Sequence, residues 1–180
     1  MIYRGVVEVL DRRVVVSASK DTAGAAAKAV KSARPESITA EQFYEAMAGF
    51  DPSLPEKLRE FLARLEPLGV EADFQRSLIL RWEPPTGRPI TLGTIHRNGP
   101  VWTDGVNAKA PQDFAHAYVE DLAKVLGMEV ETHTMGGVWY VKSKGHAPKI
   151  AALADKLPLW AAAIERFLVA MKQRLAESEA

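Results

Sequence analysis

The chain has 180 residues, 23 Lys+Arg against 23 Asp+Glu, 47% hydrophobic residues and no cysteine. A disordered tail would be poorer in apolar residues and more one-sided in charge. A disulfide scaffold, a zinc ribbon, an iron–sulfur protein or a cysteine-nucleophile enzyme would need thiols, and a protein held to DNA by bulk charge would be basic.

Met1 leads almost directly into a valine-rich segment, with no basic region followed by an apolar one. The reading is a cytoplasmic chain without a signal peptide or membrane span. Residues 2–9 and 13–17 flank Leu10-Asp11-Arg12 and predict a short hairpin. Residues 20–33 are alanine-rich and predict a helix that buries little. Arg34-Pro35 stops it.

Thr39-Ala40-Glu41-Gln42 matches a capping box, with Ile38 and Phe43 at the staple positions. That helix should end near Gly49. Ser53-Leu54-Pro55-Glu56 reads as a second capping box. Leu54, Leu58, Phe61, Leu62 and Leu65 follow it at helical spacing. Leu78, Leu80 and Trp82 then alternate with Ser77, Ile79 and Arg81. With 89–96 and 100–104, joined by the Arg97-Asn98-Gly99 turn, they predict a three-stranded meander.

A third helix over roughly 111–126 carries Phe114, Tyr118, Leu122 and Val125 on one face. A hairpin follows, over 128–133 and 137–143. The chain closes with a helix near 147–156, a break at Leu157-Pro158 and a long helix to about 176. In that last helix Trp160, Ile164, Phe167, Leu168, Met171 and Leu175 form one apolar stripe. A homodimer through the apolar face of this helix is an independent expectation. Leu68-Gly69-Val70 and Leu126-Gly127-Met128 end two helices alike, and each is followed by a strand bearing a tryptophan, Trp82 or Trp139. Glycine at the helix C′ position explains this by local convergence. An α-β-β duplication, with halves 1–109 and 110–180, is the alternative.

The densest polar stretch is Thr94 to Asn107. His96 beside Asp104 would be a general base oriented by a carboxylate, with Asn107 nearby. No serine or cysteine nucleophile adjoins it, and Asn98-Gly99 is ordinary hairpin chemistry. Asp113, His116 and Glu120 share a helix face but lack a two-histidine core and a fourth ligand. Neither Gly24 with Lys28 and Lys31 nor Gly136-Gly137 makes a phosphate or dinucleotide loop. No metal and no cofactor is expected. Lys142, Lys144 and Lys149 lie just after Trp139 and Tyr140, a mixture that can grip nucleic acid by phosphate contact and stacking. Trp82 and Trp160 read as core, and Trp102 and Trp139 as partly exposed.

Ile38 to Asp104 combines the capped helix with Arg76-Ser77-Leu78-Ile79-Leu80-Arg81-Trp82 and Leu92-Gly93-Thr94-Ile95. This stretch resembles a poorly characterised bacterial domain that stands alone or lies beside nuclease-type domains. The resemblance implies an accessory role and brings no catalytic residues with it.

The expectation is a single α+β domain whose antiparallel or mixed sheet has five to seven strands, with helices mainly on one face. Function reads first as a non-catalytic binding module for a protein or small-molecule partner. Its surface would comprise His96, Arg97, Trp102, Asp104, Asn107, Trp139, Lys142 and Lys144. A nucleic-acid accessory role and a small hydrolase or transferase using His96 and Asp104 are the alternatives. The zero net charge is a sum of blocks: 35–75 and 110–135 are acidic, 76–109 and 136–180 basic.

Overall fold

A computed structural model describes residues 9–10, 13–14, 38–85, 87–133 and 137–179. The chain divides into two compact units, 1–33 and 34–180. Of the first, β1 (Val9–Leu10) and β2 (Arg13–Val14) pair antiparallel, in keeping with the expected hairpin. The alanine-rich stretch over 20–33 lies outside the described residues.

The second unit starts at α1 (Ala40–Ala48). The Thr39 backbone N–H donates to Gln42 Oε1 at 3.1 Å, and the Gln42 N–H donates to Thr39 Oγ1 at 3.3 Å. Both halves of the capping box are therefore made. Next comes α2 (Leu54–Leu65), which buries Leu54, Leu58, Phe61 and Leu65 as its spacing requires. Its expected capping box does not form. The Ser53 N–H and hydroxyl both donate to Asp51 Oδ1 at 2.8 Å, so the serine oxygen does not cap the helix. These two bonds hold the Asp51 carboxyl below the ordinary carboxylate range.

A 3₁₀ turn, Glu66–Leu68, ends on Gly69 in the left-handed region at φ +83°. The chain then enters β3 (Val70–Phe74), β4 (Ser77–Trp82), β5 (Ile90–His96) and β6 (Val101–Trp102). These four form one antiparallel sheet in chain order. The register sets Leu78 opposite Ile95, Ile95 opposite Val101, and Trp82 opposite Val70 and Ile90, all of them buried. The opposite face carries Asp73, Ile79, Arg81, Thr94 and Trp102, which keep part of their surface.

After a 3₁₀ segment, Asp104–Ala108, come α3 (Gln112–Leu126), β7 (Glu129–Thr132) and β8 (Trp139–Lys142). The closing helices are α4 (Ile150–Leu153) and α5 (Leu157–Glu179), separated by a 3₁₀ turn. Pro158 sits in the first turn of α5, where its missing N–H costs nothing. The expected break is thus the start of the long helix. Trp160, on α5, lies against Gly93 of the sheet and packs on Phe61 of α2 at 5.3 Å between centroids. Its Nε1 donates to the Tyr118 hydroxyl, which donates to the Leu92 carbonyl. Burial raises the Tyr118 pKa far above the ordinary phenol value, so the hydroxyl remains a donor. One chain of contacts thereby ties α2, α3 and α5 to the sheet's inner face.

The architecture is α+β with antiparallel sheets, but the expected sheet of five to seven strands is not present. The described strands form a four-stranded sheet and two separate two-stranded pairs, β1–β2 and β7–β8. The physical reason lies at 103–107. β6 lasts two residues before the chain coils into the 3₁₀ segment, so β8 finds no strand edge beside it. The Thr103 hydroxyl instead accepts from the Val141 N–H at 2.9 Å. The order helix–Gly–strand–strand does recur, with Gly69 and Gly127 both left-handed. However, Trp82 faces the first residue of its partner strand and Trp139 faces the last of its own. The two tryptophans are not equivalent, and a duplication is not shown.

Candidate functional site

Asn107 is the hinge between the sheet and the β7–β8 hairpin. Its Nδ2 donates to the carbonyls of Asp104 and Trp139, both at 2.8 Å, and its Oδ1 accepts from the Trp139 N–H at 3.2 Å. Asn107 thus serves as a clamp with its amide fully used. Trp139 turns toward α3, where its ring meets His116 at 4.4 Å. His116 also approaches Glu120 at 3.5 Å, and among the described residues no three His, Asp or Glu side chains gather as a metal site.

Period-two alternation sends Tyr140 and Lys142 to the other face of the hairpin. Tyr140 pairs with Glu131 and Lys142 with Glu129, so these four and His133 share that face. Tyr140 reaches Trp102 across the gap to β6, at 5.8 Å between ring centroids. On its other side it stacks on His133 at 4.7 Å. His133 Nε2 lies 3.9 Å from Asp104 Oδ2. Trp102, Tyr140 and His133 therefore form a continuous strip with Asp104 at its end, and none of the four is buried. Lys142 ion-pairs with Glu131 beside the strip, and this bond raises its pKa. Lys144, exposed at the 143–146 turn with φ +50°, has no ion pair among the described residues.

His96 and Asp104 do not meet. His96 Nδ1 sits 3.2 Å from Ser77 Oγ, its opposite number on β4. Gly105, next to Asp104, is pressed on Thr91: a Cβ there would lie 2.8 Å from the Thr91 methyl. Thr91 is five residues back along β5, about 17 Å from His96. Arg97 is exposed on the adjoining turn, beside His96 and away from the strip.

The structure thus separates the sequence candidates into two groups. Trp102, Asp104, Asn107, Trp139 and Lys142 gather where β6 meets the hairpin, while His96 and Arg97 stand at the far end of β5. His133 and Ser77 were missed as members of these groups. The alternation of Glu129, Glu131 and His133 carried the signal for the first. Comparison with protein-family models, curated proteins and solved structures finds no match for this chain.

Proposed function

We propose that this protein is a non-catalytic binding module of the bacterial cytoplasm, engaging a protein or small-molecule partner through the sheet face that carries Trp102. The observation that carries this reading is the Trp102–Tyr140–His133 strip. Aromatic side chains with a polar tip present a large contact area at low entropic cost, and they dominate recognition surfaces. The strip crosses from the four-stranded sheet onto the hairpin and is held by the Asn107 clamp. It is therefore a preorganised surface, which lowers the cost of binding. With His96 beside Ser77 and Asp104 beside His133, this reading makes no use of a His96–Asp104 pair.

Affinity capture from lysate tests it, comparing the unaltered chain with the folded Trp102→Ala variant, which leaves Arg97 in place. The expected result is loss of at least one specifically retained partner. Identical partner profiles would count against this surface.

A further inference from the structure

We propose that the end of the sheet opposite the strip is a binding site for a phosphate group, of the monoester type. The register sets Ser77 opposite His96, so Arg76, preceding one, and Arg97, following the other, leave the sheet at the same end. With Asn98 they line one open concavity of about 560 Å³ together with Ser77 and His96. Both arginines sit on braced turns. The Gln75 N–H donates to the Ser77 carbonyl at 3.0 Å, and the Ile38 N–H to the Gln75 carbonyl at 2.8 Å. On the other turn the His96 N–H donates to Pro100, and the Gly99 N–H to His96. Gly99 takes φ +103°, which favours glycine.

Charge is what distinguishes this corner. Arg59, Arg64, Arg81 and Arg166 each meet a carboxylate. Arg76, Arg88, Arg97 and Arg174 meet none among the described residues, and of these Arg76 and Arg97 line one concavity. Asp73, which lines the adjoining concavity with Arg76 and His96, is engaged by Arg81 at 2.7 Å and by Gln75 at 2.7 Å. Ser77, almost fully buried, fixes the His96 ring through Nδ1, and Nε2 has no described partner. Two like charges held together on rigid turns repel, and an anion between them relieves that repulsion. Guanidinium forks suit the oxygens of a phosphate, and a monoester carries up to two negative charges at neutral pH. The site uses none of the strip's side chains, although Trp102 lies opposite Thr94, two residues from His96.

The test is a two-dimensional amide NMR titration of the full chain at pH 7 and constant ionic strength. The probes are inorganic phosphate, methyl phosphate and dimethyl phosphate. Expected are saturable shifts centred on Arg76, Ser77, Arg97 and Asn98 with the first two probes, and weaker binding of the diester. Arg76→Ala/Arg97→Ala should raise the phosphate Kd at least about tenfold. Arg76→Lys/Arg97→Lys should fall between, since it keeps charge and loses the fork. Both substitutions are at exposed or turn positions, and the remaining resonances report that the fold is intact. Non-saturable shifts, or an unchanged Kd in the alanine pair, would overturn the site. Diester binding as tight as monoester binding would overturn the ligand class and point to a nucleic-acid backbone.

Discussion

Trp160→Ala is expected to destabilise the protein by about 3–5 kcal/mol, the range for deleting a large buried aromatic. Trp160 is 1% exposed and touches three elements. Its ring packs on Phe61 of α2, its Nε1 donates to Tyr118 of α3, and its six-membered ring lies against Gly93 of β5. Truncation removes dispersion contacts from all three and leaves a cavity that rigid neighbours cannot fill. The Tyr118 hydroxyl would keep its bond to the Leu92 carbonyl, so no buried donor is orphaned. The loss should therefore be mainly one of packing, and Trp160→Phe should recover a large part of it. Urea unfolding checks this through the midpoint at unchanged m. A loss below about 1 kcal/mol, within the range of a surface substitution, would contradict a central role for this ring.

Gly93→Ala, the addition of one methyl, should cost about 1–3 kcal/mol through overpacking. The new Cβ would stand 2.5 Å from Cζ2 and 3.1 Å from Cη2 of Trp160. Neither atom belongs to a flexible side-chain end, because the indole is fixed by Phe61 and Tyr118. Phenylalanine at 160 lacks that outer ring. In the Trp160→Phe background Gly93→Ala should therefore cost markedly less, and the double-mutant cycle should show a favourable coupling. Strict additivity of the two substitutions would show that they are not in contact.

These contacts mark the boundary of what the sequence makes visible. Thr39 with Gln42 is a local bond pattern, and it forms as the spacing requires. The α2 and α5 stripes and the Leu78–Leu80–Trp82 alternation likewise state which side is buried. Ser53 misleads because Asp51, two residues earlier, competes for its donors. The extent of the sheet depends on a non-local fact: Gly105 seats the 3₁₀ segment on Thr91, and the chain leaves the sheet plane after Trp102. The His96–Asp104 pairing was an error the hairpin itself could have exposed. Thr94 opposes Trp102, so the returning strand carries Asp104 away from His96 with every residue. The Trp102–Tyr140 contact joins strands that share no hydrogen-bonded pairing, and pattern alone does not bring them together.

The central claim is that the sheet face carrying Trp102, and not the helical side, meets the partner. Site-specific photocrosslinking in living cells tests it most directly. A photoreactive residue would replace Thr94, opposite Trp102 on that face, or Glu165, exposed on α5. The expected result is a discrete adduct of higher mass from position 94, abolished by Trp102→Ala, and none from 165. Adducts from 165 alone, or none from either position, would contradict it.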